Sequence, residues 1–291
     1  MLMMEITYRK SEICAGIVLY NPKEGRLREN INAILPQVSF LFLVDNASSN
    51  INKIEKIWSD YSNIQIIKNN ENMGIAKALN QMCEAALSNN YKWILTLDQD
   101  SVCPDNLIES FIPYTSKFNI GIICPQFRLN LRNYLHNNIN YNKNFEYIKY
   151  CITSASLTNI TAWKDSGGFD EWMFIDCVDY DFCIKLRLAE YKIIRVNSLT
   201  INHEVGSADA VTLFGETKVI LYNHNAIRNY YMVRNTIYLI RKYYFVFDVY
   251  IWIPRLLYWE LCKLIFEKNK KATLMSMIKG LRDGFCSRND A

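Results

Sequence analysis

The chain has 291 residues, 50% of them hydrophobic and 21% charged, with a formal net charge of +4. That length builds a full core as one large domain or one domain with an appendage, and the balance excludes a disordered chain. The charge also argues against a nucleic-acid reader: between 241 and 283 nine Lys or Arg face four acids, an excess of five, so the rest of the chain is slightly acidic. Nine cysteines are scattered with no Cys-x-x-Cys spacing, the pattern of reduced thiols used as small core residues rather than of zinc ligands. Met1 to Lys10 carries no apolar run of signal type, so no secretory signal is expected.

In chain order, Ile13 to Tyr20 is a continuous apolar run, the mark of a strand buried on both faces, ended by Asn21-Pro22. Leu27, Ile31, Ile34 and Leu35 recur at helical spacing until Pro36. Phe40 to Val44 is a second strand running into Asp45-Asn46, and Ile51, Ile54, Ile57 and Trp58 form the next helical face. Ile64 to Ile67 is a third strand. A polar turn, Asn69 to Gly74, precedes a helix from Ile75 to about Ser88, and Trp93 to Leu97 is a fourth strand ending in Asp98-Gln99-Asp100. Such alternation predicts a parallel, doubly wound sheet, with ligands beyond the carboxyl ends of the strands. Tyr20-Asn21, Asp45-Asn46, Asn72-Met73-Gly74 and Asp98 to Asp100 all fall there.

Beyond that point the pattern changes. Ile120 to Pro125 reads as a strand, 128–149 as an irregular excursion, and Tyr150 to Thr153 as strand again. Ser166 to Asp170 is a turn, Asp179 to Ala189 a helix, Lys192 to Val196 a short strand followed by Ile201-Asn202-His203. Tyr243 to Phe266 is rich in aromatic and aliphatic residues but interrupted by Asp248, Pro254, Arg255, Glu260 and Lys263, too often for a membrane span. Its Trp and Tyr with Lys and Arg suit helices lying in a membrane interface; a packing subdomain or a homodimer contact is the alternative.

Asp98 and Asp100 carry the chemistry. Strand alternation is expected to send both to one side, where two carboxylates repel unless a cation joins them. Mg²⁺ or Mn²⁺ fits, since each binds through one or two carboxylates plus substrate phosphates. The alternative is a structural one, with Asp98 ending the strand and Asp100 capping a helix that starts near Pro104-Asp105.

With these residues in order, the chain resembles the family 2 inverting glycosyltransferases of GT-A fold, and within them the bacterial rhamnosyltransferase-like branch. The resemblance runs through Ile17 to Asn21, Val44-Asp45-Asn46-Ala47-Ser48, Asn72-x-Gly74-x-Ala76-x-Ala78-x-Asn80, Asp98-x-Asp100, Gly167-Gly168-Phe169-Asp170, Phe174 to Asp181, and Arg228-x-Tyr230-Tyr231-x-x-Arg234-Asn235. It implies an α/β, Rossmann-like nucleotide-diphospho-sugar transferase fold with a mostly parallel central sheet over 1–240 and a C-terminal helical extension over 241–291. It also implies site roles: Asp45 reading the nucleobase, with Tyr20, Asn21, Asn72 and Gly74 in the donor pocket; Asp98 at the ribose or the metal; Asp100 as metal ligand; His203 as a further ligand, or a structural histidine. Asp179 takes the place of the catalytic base. Because Val178 stands where the family has Glu, Asp181 remains the alternative. Arg228 and Arg234 would meet the donor or acceptor diphosphate, or tie the C-terminal helices down through acidic partners.

The implied activity is transfer of L-rhamnose from dTDP-rhamnose to a polyprenyl-diphosphate-linked saccharide of a bacterial surface polysaccharide, such as O-antigen or capsule, with the protein peripheral on the inner face of the cytoplasmic membrane. A UDP-hexose or UDP-galactofuranose donor is the runner-up, and an inactive membrane-docked scaffold the reading of another class. A nucleotidyltransferase would need a Gly-rich, basic phosphate loop that Tyr20 to Gly25 lacks.

Overall fold

A computed structural model describes residues 10–129, 143–203, 209–213, 217–221, 226–246, 250–266 and 269–287. The chain divides into two units: Met1–Trp172 with Val178–Glu204, and Met173–Cys177 with Val205–Ala291.

The first unit is an eight-stranded sheet flanked by helices. Its strands are β1 (Ile13–Leu19), β2 (Leu41–Asp45), β3 (Ile64–Lys68), β4 (Trp93–Asp98), β5 (Ile120–Leu129), β6 (Phe145–Ile148), β7 (Ser156–Asn159) and β8 (Lys192–His203), in the order β3-β2-β1-β4-β7-β5-β8-β6. The helices are α1 (Glu24–Ile34), α2 (Ile51–Trp58), α3 (Gly74–Ser88), α4 (Leu107–Thr115), α5 (Ile160–Asp165) and α6 (Val178–Leu188). β3, β2, β1 and β4 run parallel, because each pair is joined by a helical crossover rather than a hairpin. β1 and β2 are apolar throughout because both faces are covered. Leu27, Ile31 and Ile34 of α1 are fully buried, each stabilising the unit by about 2 kcal/mol. The register sets Leu19 beside Asp45, Asp45 beside Lys68 and Val18 beside Asp98, so the carboxyl ends of the four parallel strands lie in one row.

Several expectations are corrected here. The segment 128–149 is not wholly irregular: β5 runs to Leu129 and β6 pairs antiparallel with β8, while 130–142 lie outside the described residues. Tyr150 to Thr153 is not a strand; the strand is β7, three residues later, whose polar Ser156 and Thr158 are buried between β4 and β5. The short strand at 192 extends to His203, with a register shift beside Pro125 where that residue interrupts regular pairing. The helix after Asp100 starts at Leu107 with Asn106 at its cap position, so Asp100 caps nothing there.

The second unit contains an antiparallel pair, β9 (Asp209–Leu213) and β10 (Thr217–Leu221), and the helices α7 (Ala226–Lys242), α8 (Trp252–Phe266) and α9 (Lys270–Cys286). Among the described residues no helix is long and apolar enough to cross a membrane. All nine cysteines are free, and six of them are buried.

Candidate active site

The site grows from the strand ends. Asp45 closes β2 and is 1% exposed. Its Oδ2 accepts the Ser48 backbone N–H at 3.0 Å, which fixes the carboxylate; its Oδ1 is buried with no hydrogen-bond partner. An unsatisfied buried carboxylate oxygen is costly unless a ligand supplies the donor. Around it, Asn21 (φ 48°) donates its backbone N–H to Ser48 Oγ at 2.8 Å and accepts from Ser49 N–H and Oγ–H through Oδ1. The exposed Tyr20 is held by Gln99 in both directions: Tyr20 N–H donates to Oε1 at 2.8 Å and Gln99 Nε2 donates to Tyr20 O at 3.3 Å. The end of β1 is therefore tied to the turn after β4.

A second tier of amides supports this loop cluster. Asn46 Nδ2 donates to Gly74 O, Asn69 Nδ2 donates to Asn46 Oδ1, and Asn69 exchanges hydrogen bonds with Gln81. Gly74 opens α3 at φ 83°, a conformation a side chain would strain, and its N–H donates to Asn72 Oδ1 at 3.0 Å. Asn80, buried on α3, holds the Gly168-Phe169 turn: it accepts from Phe169 N–H and Trp163 Nε1–H and donates to Phe169 O and Glu171. Sequence reasoning did not single out Gln99, Asn69, Gln81 or Ser48. Gln99 had a signal in its place between the two aspartates, and Ser48 in its place in the motif that starts at Val44.

Asp98 is half-buried at the last position of β4. Its N–H donates to Ser154 Oγ at 3.1 Å, and its carbonyl accepts from Asn30 Nδ2 at 2.7 Å. Gln99 and Asp100 form a turn, so the strand alternation expected to send Asp98 and Asp100 to one side does not set the direction of Asp100; Asp100 is exposed, with its carbonyl held by Arg26 Nε at 2.9 Å. Among the described residues no group of three His, Cys, Asp or Glu forms an all-protein metal cage. The chemistry of Asp98 and Asp100 still fits a Mg²⁺ or Mn²⁺ completed by water and phosphate oxygens. His203 is the last residue of β8, and its side chain lies outside the described residues.

On α6, Asp179 and Asp181 share the first turn, which favours negative charge. They differ in access. Asp181 is 0% exposed and paired with Lys185 at 3.2 Å, and Lys185 Nζ also donates to Gly168 O. Asp179 is half-buried. One turn on, the Cys183 and Cys151 sulfurs stand 3.8 Å apart. Their contact, burial and the charge of Asp179 push the Cys183 thiol well up, so it stays neutral beside that carboxylate.

In the second unit, Arg228 pairs with Asp176 at 3.2 Å and is half exposed. Arg234 is buried: its guanidinium donates to Asn235 Oδ1 and Met173 O and stacks over Tyr231 at 4.6 Å. Asn235 donates to carbonyls of Met173, Ile175 and Asp176, where Phe174, Asp176 and Cys177 all adopt positive φ. These contacts tie Arg234 to Met173 and to its own helix. Asp176 is the partner of Arg228.

The family model described as "Glycosyl transferase family 2" matches residues 14–169, the segment from β1 through the Gly168 turn that Asn80 holds. The chain belongs to glycosyl transferase family 2. It is 29% identical over 247 residues to the dTDP-rhamnosyl transferase RfbF of Shigella flexneri, covering 80% of this chain and 81% of that one. Among solved structures it is similar to GalNAc-T7 with UDP, GalNAc and Mn²⁺, at a TM-score of 0.62 and 12% identity. That match covers 95% of this chain but spans only 55% of the GalNAc-T7 chain. S. aureus TarS 1-349 in complex with UDP-GlcNAc matches at a TM-score of 0.53 and 12% identity, over 96% of this chain and 74% of that one. At such identities these likenesses carry the fold: a GT-A glycosyltransferase fold with a mostly parallel central sheet and C-terminal helices.

Proposed function

We propose that this family 2 transferase moves L-rhamnose from dTDP-rhamnose to a saccharide carried on a polyprenyl diphosphate, in synthesis of a bacterial surface polysaccharide, at the inner face of the cytoplasmic membrane. The observation that carries the donor half is the unpartnered Asp45 Oδ1 at the end of β2. A pyrimidine imide N–H is the donor such an oxygen lacks, and thymine and uracil share it. The name of the Shigella relative favours the thymidine diphosphate. Tyr20, Asn21, Asn72 and Gly74 line the base and ribose side, and Asp98 meets the ribose.

Asp100 and Asp98 would hold Mg²⁺ or Mn²⁺, with His203 as a third candidate ligand; such an ion offsets the charge that grows on the leaving diphosphate. The attacking acceptor hydroxyl must give up its proton as it bonds to the anomeric carbon opposite that diphosphate. Asp179 is the base: it is reachable, whereas Asp181 is enclosed with Lys185. Arg228, half exposed, and the more buried Arg234 are the candidates for a donor or acceptor diphosphate contact. The transferase domain is taken as 1–240 and the extension as 241–291, the part suited to a membrane surface.

The test is a transfer assay with dTDP-rhamnose, UDP-hexoses and UDP-galactofuranose, with Mg²⁺ or Mn²⁺ and with chelator. Turnover is expected with dTDP-rhamnose, lost on chelation, and lowered about 10²–10⁴-fold by Asp179→Asn at nearly unchanged donor affinity. Inactivation by Asp181→Asn but not Asp179→Asn would move the base, and a preference for a UDP-sugar would replace the donor.

A further inference from the structure

Two helices of the second unit, α8 and α9, are inside out. Helix α8 turns Ile253, Leu257, Leu261 and Ile265 to the outside at four-residue spacing, with Leu257 66% and Leu261 58% exposed. Its inward side carries Glu260, Cys262 and Lys263, all buried. Helix α9 does the same: Leu274, Ile278, Leu281 and Phe285 face out, while Thr273, Ser276, Gly280 and Gly284 are buried. A helix of a water-soluble domain has the opposite polarity.

The inversion is specified, not incidental. On α8, Lys263 Nζ donates to Glu260 Oε1 at 2.8 Å and to Asn229 Oδ1 of α7, so turning the leucines inward would break a buried charge pair. On α9, a Cβ at Gly280 would lie 2.8 Å from Tyr230 O, and one at Gly284 2.7 Å from Arg234 O. Only small residues allow α7 and α9 to approach so closely, the packing used between helices in lipid. The exposed charges on α8 and α9 are Arg255, Lys270, Lys271, Lys279 and Arg282. Of the acids, Glu260 is buried with Lys263, and Asp283 is engaged by Arg282 and Tyr230.

We infer that the outer faces of α8 and α9 are a monotopic lipid-insertion surface whose partner is an anionic bilayer. Among the described residues of α8 and α9 the fully exposed charges are all cations, which complement anionic headgroups; against a second copy of the same surface they would repel. Helices of this kind lie in the interface with their apolar face about 5–10 Å deep. The inference deepens the membrane-surface part of the proposed function and rests on it. It says which side chains enter the lipid, and that insertion, not charge alone, holds the protein there.

The test is flotation of the full chain with vesicles of phosphatidylcholine, with and without phosphatidylglycerol, at low and high salt. Binding to the anionic vesicles is expected, with a fraction that resists salt. Leu257→Glu combined with Leu261→Glu should weaken partitioning at least about tenfold at both salt levels, and Ile278→Glu should act likewise. Lys270→Glu with Lys271→Glu should remove only the salt-sensitive part. All these side chains are exposed, and unchanged circular dichroism and melting would confirm folding. Equal partitioning of parent and apolar variants would overturn the inference. So would a dimer by sedimentation that Leu257→Glu with Leu261→Glu makes monomeric, in a protein that binds no vesicles. The melting shift on adding dTDP is read in parallel. Lost vesicle binding with an intact shift defeats the lipid surface alone; the reverse defeats the donor reading alone.

Discussion

Asp45, Asp176 and Asp181 are aspartates of the same chain in three different circumstances. Asp181 is sealed in with Lys185, an arrangement that serves α6. Asp45 is sealed in with one oxygen unpaired, the acceptor that the proposed donor base would fill. Asp176 lies between: burial raises its carboxyl above the ordinary range, and Arg228 pulls it back down. A carboxyl raised on folding contributes stability that is fully present below its unfolded value, near 4, and lost as pH rises through the folded value. Removing Arg228 lifts the folded value further and widens that loss. Arg228→Ala should therefore destabilise the protein more at about pH 7.5 than at about pH 4, as read from urea midpoints. Equal losses at the two pH values would leave Arg228 a packing role only.

At the scale of elements, legibility in the sequence followed burial. β1, β2 and β4 are covered on both faces, so their apolar runs announced them, and the acids just past them announced the site. β7 was hidden because it is half Ser and Thr; the Ser156 hydroxyl is satisfied by neighbouring backbone, donating to Ile152 O. Asp98 and Asp100 were legible as a pair but not in their geometry, since the strand stops between them. The Asn46, Asn69 and Gln81 network could not be read, because amides in loops look alike until the backbone brings them together. In α9 the apolar residues were visible, whereas the direction they face is set by Ser276, Gly280 and Gly284, small residues with no periodic hydrophobic signal. Gly284→Leu should consequently push α9 off α7 and destabilise by about 1–3 kcal/mol in urea denaturation. Gly25→Ala, with open space around its Cβ on α1, is the control and should be neutral or stabilising by about 0.5–1 kcal/mol. Equal effects of the two substitutions would show that the α7–α9 approach is not tight in solution.

For the whole molecule, the proposed division of labour has a thermodynamic consequence. Asp45, Tyr20, Asn21, Gly74 and Asp98 all belong to the first unit, while both inverted helices belong to the second. A chain of two units need not melt in one step. As the proposed donor nucleotide, dTDP would bind folded residues of the first unit and should raise the transition that reports on it. At a hundredfold excess over its Kd the stabilisation is about 2.7 kcal/mol, a shift of roughly 5–11 °C for a unit of this size. Asp45→Asn isolates the cause. Its Oδ1 can still accept the Ser48 N–H, but its amide then points N–H groups at the imide N–H of the base, donor against donor. Losing a hydrogen bond to a charged acceptor should weaken dTDP and UDP about 10- to 100-fold and remove at least about half of the shift at the same nucleotide concentration. Calorimetry of both proteins with dTDP, UDP and GDP checks this. Stabilisation by GDP that matches dTDP, or an undiminished dTDP shift in Asp45→Asn, would mean that the unpaired oxygen at the end of β2 does not read the base.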